Sequence, residues 1–119
     1  MRIEERFAFK IPSSVKPEQA APLMCAGITV WEPIVDYVKP GSRVGVISLG
    51  GLGHMALKLA HGVGAAVVIL SSSDRKKEKA MAMGASGYVN YNDAEQMKAV
   101  AGTLDVIIDT CPVNQDIAP

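Results

Sequence analysis

The sequence has too few cysteines to be held together by them. Cys25 and Cys111 lie far apart and form no C-x-x-C pair, which argues against a disulfide scaffold and against a closed structural zinc site within the chain. Neither sign of charge is in excess: 12 basic residues face 12 acidic ones, and nothing in that balance calls for nucleic acid or an anionic membrane. No apolar run approaches the length of a membrane span, and the start, MRIEERFAFK, lacks the apolar core of a signal peptide. A cytoplasmic setting is the expectation. Internal repeats and low-complexity tracts are also missing. With 119 residues, about half of them apolar, the chain is one domain at most, with a modest core.

The stretch Arg43 to His54, RVGVISLGGLGH, organises what is present. Val44, Val46, Ile47 and Leu49 form a short apolar run that reads as a buried strand, and Gly50, Gly51 and Gly53 break it. After them Met55, Ala56, Leu59, Ala60 and Val63 recur at helical spacing. A helix that opens straight off such a turn points free N–H groups and a positive dipole end at the loop, where glycines let a pyrophosphate approach the backbone closely. The pattern is Ser48-x-Gly50-x-x-Gly53, with serine where the usual G-x-G-x-x-G has its first glycine. The alternative is a tight turn without a ligand. Against it stands a second apolar run, Ala65 to Leu70, which ends in Ser71, Ser72 and Ser73 at about the spacing of a ribose-reading residue.

Elsewhere the periodicities fill in the frame. Ile3, Phe7, Phe9 and Ile11 alternate with polar or small residues, which predicts a short strand ending at Pro12. Pro17 at a first helical position starts a helix, and Pro33 is expected to divide the segment Leu23 to Tyr37 into two helical pieces. Asp74 is the predicted N-cap of the run RKKEKAMAM, with Gly84 as its terminator. Gly87 to Tyr91 reads as a third strand, Asn92 with Glu95 as a capping box for a helix ending near Gly102, and Leu104 to Asp109 as a fourth strand. Strands alternating with helices imply parallel pairing with right-handed crossovers. The predicted class is therefore α/β: a partial Rossmann-type, doubly wound parallel sheet of about four strands, preceded by a helical hinge. A full dinucleotide fold continues through two more strands, so the sequence reads as truncated.

These residues resemble the zinc-containing medium-chain dehydrogenase/reductase family, in its cinnamyl alcohol dehydrogenase-like branch. AAPLMCAGITVWEP, KPGSRVGVISLGGLGHMALKLA, VVILSSSDRKKEKAMAMGA and AGTLDVIIDT carry the likeness, in the family's order, from Ile11 to Thr110. The resemblance implies residues 1–38 as tail and hinge helices of a catalytic domain and 39–119 as an incomplete NADP-binding Rossmann domain. It implies hydride transfer between NADP(H) and a small alcohol or aldehyde, with zinc in the complete enzyme polarising the substrate oxygen, and a homodimer as the complete assembly. Gly50, Gly51, Leu52 and Gly53 would hold the pyrophosphate, with Ser48 tolerated if its backbone angles are ordinary. Ser71 stands where NAD-preferring relatives carry an acid. Ser72, Ser73, Arg75, Lys76 and Lys77 would supply hydroxyls and positive charge to a 2′-phosphate, although a solvated cationic helix start is the plain alternative. His54 would lie near the phosphates or face solvent, and His61 is a surface residue. Thr29 and Thr110 would lie beside the cofactor. Cys25, which on its own reads as a small buried residue, resembles the one family zinc ligand present. Trp31 and Tyr37 line a pocket or belong to the core.

No three-ligand zinc site can be assembled from Cys25, His54 and His61, and no catalytic residue is assigned in this chain. Catalysis by these residues alone is therefore not expected. A non-catalytic nucleotide-binding remnant or regulatory module is the competing reading. A methyltransferase-like nucleoside binder is disfavoured by the lack of an acid at the end of the second strand.

Overall fold

In the computed structural model, which describes residues 2 to 113, four strands pair in parallel in the order β3-β2-β1-β4. They are Arg43–Ile47 (β1), Ala66–Ser71 (β2), Gly87–Asn90 (β3) and Val106–Asp109 (β4). The helices are Pro17–Ala20 (α1), Ala26–Tyr37 (α2), Gly51–Gly62 (α3), Lys77–Ala82 (α4) and Ala94–Val100 (α5). Val44 of β1 is in register with Val67 of β2 on one side and Val106 of β4 on the other, so β1 lies inside the sheet. This is the expected α/β sheet. Alternate residues of its strands feed two cores. Val44, Val46, Val67, Ile69, Tyr88 and Ile108 pack with Ile34, Leu57 and Ala80 from α2, α3 and α4, whereas Ile47, Val68, Leu70 and Val89 pack with Val100 of α5 on the opposite face. Strands buried on both faces read as continuous apolar runs, and β1 and β2 do.

The strand expected from Ile3 to Ile11 does not form. A period-2 pattern stabilises a strand only when a sheet edge accepts it. Here Glu5–Phe7 is a 3₁₀ turn held by local contacts, a 2.6 Å Glu4–Arg6 ion pair and the Arg6 guanidinium 4.9 Å from the centre of the Phe7 ring. Ile3, Phe7 and Phe9 stay exposed. Nor does Pro33 divide its segment, for α2 runs through it unbroken. Proline at 33 lacks the donor for the Thr29 carbonyl and costs about 3 kcal/mol in a helix interior. The buried residues Val30 and Ile34 on either side of it anchor both halves of α2 to the core, which offsets that cost.

Two caps also fall elsewhere than expected. Asp74 is inside a 3₁₀ turn, Asp74–Lys76, so the capping position passes to Ser73, whose side chain makes no cap bond. The cap of α5 is Asp93, one residue beyond Asn92; its carboxylate accepts from the N–H groups of Glu95 and Gln96. Those bonds from Gln96 and Glu95 hold the Asp93 carboxyl below its ordinary value of 3.8. Gly84 does follow the end of α4, at φ +99°, and the ring of His61 lies against it, so a side chain at 84 would strike the imidazole. Among the described residues no helix is long and apolar enough to cross a membrane.

Candidate functional site

Strand order reverses between β1 and β4: β2 and β3 build outward on one side of β1, and β4 lies on the other. In open α/β sheets the crevice beyond the carboxyl ends of the strands at such a point is where ligands bind. The chain leaves β1 into this crevice through Ser48 and Leu49, and α3 opens at Gly51. The His54 N–H closes the first helical turn on the Gly50 carbonyl at 2.9 Å. The N–H groups of Gly51, Leu52 and Gly53 are thus left without intrahelical acceptors, at the positive end of the helix.

The three glycines do different work. A side chain at Gly53 would overlap the Ser48 carbonyl and lie 3.0 Å from the Thr110 hydroxyl, so glycine there lets α3 sit tightly against the end of β1. At Gly50 and Gly51 a Cβ would meet nothing within 4 Å. That is open space for a ligand to approach the backbone. Ser48 departs from expectation: its φ is +71°, in the left-handed region where glycine is favoured. The serine at the first glycine position of the G-x-G-x-x-G pattern thus adopts a conformation that glycine favours. Its neighbours hold it there. The Ser48 N–H donates to the Leu70 carbonyl at 2.8 Å, and the Thr110 hydroxyl donates to the Ile47 carbonyl at 2.7 Å and lies 3.3 Å from that of Ser48.

At the end of β2, Ser71 is half-buried, while Ser72 and Ser73 are exposed. The carbonyls of this loop are fixed from the β3 side. Tyr91 N–H donates to Ser71, the Asn92 amide to Ser72 at 2.9 Å, and the Tyr88 hydroxyl to Ser73 at 2.7 Å. None of the three serines lines the groove beside the glycine turn. Of the three cations expected nearby, Lys76 is half-buried and its Nζ donates to the Leu49 carbonyl at 2.7 Å. Arg75 and Lys77 are exposed and do not line the groove beside the glycine turn. His54 does line it.

Cys25 is exposed at the start of α2 rather than buried, and Thr29, whose N–H bonds the Cys25 carbonyl at 3.0 Å, shares its exposed face one turn on. Among the described residues no three of His, Cys, Asp and Glu are gathered to hold a metal ion. Trp31 edges a shallow apolar hollow of about 190 Å³ with Leu23, Ile28 and Leu59, and Tyr37 is exposed away from it.

A family model described as "Zinc-binding dehydrogenase" matches residues 51–118, more than half of the chain. The chain belongs to that family. Cinnamyl alcohol dehydrogenase 2 of Oryza sativa subsp. japonica is 46% identical over 122 residues, which take in 100% of this chain and 34% of the rice protein. A cinnamyl alcohol dehydrogenase structure from Sorghum bicolor superposes with a TM-score of 0.90 at 44% identity, covering 95% of this chain and 33% of that one. A structure from Helicobacter pylori, titled as a CAD complexed with NADP(H), gives a TM-score of 0.75 at 39% identity, covering 84% and 28%. The zinc-binding dehydrogenase chain thus spans about one third of the length of the relatives it matches.

Several residues that shape the site escaped the sequence reading. Tyr88 and Asn92, which fix the serine loop, sit on and just after β3, and no local pattern ties them to residues 15 and 20 positions earlier. Lys79 and Met83 of the α4 region line the groove facing the glycine turn, and only the tertiary packing of α4, which sits against β3, brings them there.

Proposed function

We propose that this chain is the cofactor-binding part of a zinc-dependent alcohol dehydrogenase that moves hydride between NADP(H) and a small-molecule alcohol or aldehyde. The observation that carries the reading is the glycine turn at the reversal of strand order, with open space at Gly50 and Gly51 and the half-buried Lys76 beside it. The nicotinamide cofactor, when bound, supplies or accepts the hydride. The chain's own residues bind and orient it. The N–H groups of Gly51, Leu52 and Gly53 receive the pyrophosphate, and Ser71, Ser72, Ser73 and Lys76 receive the 2′-phosphate. Thr29 and Thr110 flank the nicotinamide end. The printed title of the Helicobacter pylori relative, which names NADP(H), supports this choice of cofactor.

The residues present do not fit a zinc ion by themselves. A catalytic zinc takes three protein ligands and an open position, whereas Cys25 contributes one thiolate and no three-residue cluster exists among the described residues. In this reading the remaining ligands and the catalytic groups belong to the complete enzyme, a cytoplasmic homodimer, and the 119-residue chain alone is inactive. The same lack of a metal cluster favours, as a second reading, a non-catalytic nucleotide-binding or regulatory module.

Fluorescence titration with NADPH and NADH tests the cofactor assignment, and aldehyde reduction by a form carrying the remainder of the relatives' length separates the two readings. Tighter NADPH binding with turnover in the longer form alone is the expected result. Equal affinity for the two cofactors sinks the NADP assignment, and an inert longer form leaves the regulatory module.

A further inference from the structure

Between the start of α3 and the side of α4 runs a groove of about 340 Å³. One wall is the turn itself, Leu49, Gly50 and Gly51, with His54 one turn into α3. The other is Lys76, Lys79 and Met83. Lys76 ends the 3₁₀ turn that precedes α4 and Lys79 lies in α4, and both line this wall. No carboxylate lines the groove, although the whole chain carries as many acids as bases. Asp74 and Glu78, the acids nearest in sequence, pair with neither lysine; the ion pairs among the described residues are Glu4–Arg6 and Glu95–Lys98. Two like charges share one wall without a carboxylate partner, opposite a turn whose Gly50 and Gly51 carry no side chain.

We propose that Lys79 is a second cation for the cofactor's 2′-phosphate, closing on it from α4 while Lys76 holds it from the β2–α4 connection. The assignment rests on the NADP reading above and extends it to a residue outside the serine loop. A phosphate monoester seated here accepts charge-assisted bonds from both Lys76 and Lys79. The Leu49 carbonyl that Lys76 engages at 2.7 Å positions its ammonium at the groove without occupying its remaining donors. Lys79, exposed and unpaired with any acid, has its full donor set free for the ligand.

The test is calorimetric titration of the form that carries the rest of the relatives' length with adenosine 2′,5′-bisphosphate and with adenosine 5′-monophosphate, which differ by the 2′-phosphate alone. Lys79→Gln should weaken the bisphosphate roughly tenfold and leave the monophosphate unchanged, and Lys79→Arg should recover most of the loss. Because Lys79 is exposed, both variants should melt with the unaltered form, and that comparison accompanies the titration. Bisphosphate affinity untouched by Lys79→Gln overturns this assignment while leaving the NADP reading in place. Equal weakening of both ligands also overturns it, since the role is then not specific to the 2′-phosphate. If the unaltered form does not prefer the bisphosphate, the NADP reading fails and takes this inference with it.

Discussion

The Ser48 carbonyl oxygen occupies the space into which any side chain at Gly53 would project. Helix α3 can therefore approach the end of β1 only because residue 53 has no Cβ, and the turn between them depends on that approach. Gly53→Ala should push α3 away from Ser48 and Thr110, destabilising the fold by about 1–3 kcal/mol and weakening nucleotide binding further. Gly51→Ala meets no protein atom within 4 Å, so it should keep stability and lose binding alone. Thermal melts beside NADPH titrations check both, and an unchanged melt for Gly53→Ala would contradict the packing described.

Ser48 offers a second test of the same turn. At φ +71° a β-branched residue is strained, by roughly 1–2 kcal/mol relative to an ordinary conformation. Ser48→Val should therefore lower the melting temperature, whereas Ser48→Gly, which restores the usual glycine pattern, should be neutral or stabilising. The reverse order of the two variants would show that the left-handed angle is not kept in solution.

The sheet was readable because β1 and β2 are apolar on both faces and are bounded by glycine and serine runs. What was hidden follows from tertiary contacts. The alternation from Ile3 to Ile11 looks like a strand in one dimension, but no edge receives it. Pro33 looks like a break, yet Val30 and Ile34 bury on either side of it. The glycine turn and the serine loop were legible as local patterns. The residues that position the loop, Tyr88 and Asn92, act across β2 and β3, and Lys79 lines the groove opposite the glycine turn; spacing along the chain does not encode such placements.

Asp93 links the cap of α5 to that loop. Its carboxylate takes the Glu95 and Gln96 N–H groups, the Gln96 side-chain Nε2 donates back to it at 2.8 Å, and the Gln96 side-chain Oε1 accepts from Asn90 N–H at 2.9 Å, two residues before Asn92. Because these bonds lower the folded carboxyl below 3.8, the stabilisation is fully present above the ordinary carboxylate value. It is lost as pH falls through the depressed folded value. The stability gap between the unaltered chain and Asp93→Asn should thus be open at about pH 7 and shrink below about pH 4. A gap constant across that range would show that charge plays no part in the cap.

In the proposed function, cofactor choice turns on Ser71, the half-buried residue at the end of β2. A carboxylate there accepts from ribose hydroxyls but repels a 2′-phosphate. Ser71→Asp should weaken NADPH by roughly tenfold or more and leave NADH equal or tighter. Titration of both cofactors against both forms gives the ratio. If the ratio does not move, Ser71 does not face the ribose.

In the proposed function, Cys25 is the residue that tests where the metal chemistry resides. Its thiol is exposed at the start of α2, and neither His54 nor His61 joins it in a cluster of ligands. A lone thiolate leaves zinc with too few protein ligands, so the 119-residue chain should bind zinc only weakly and reduce no aldehyde. In a form that carries the rest of the relatives' length, Cys25→Ala should remove zinc and activity together while leaving NADPH affinity within about twofold, because α2 and the glycine turn are separate elements. Metal content, turnover and cofactor titration on that one variant distinguish the outcomes. Activity retained without Cys25 would point to a zinc-free reductase, and loss of NADPH binding together with zinc would mean that α2 supports the cofactor site through the fold rather than through a metal ligand.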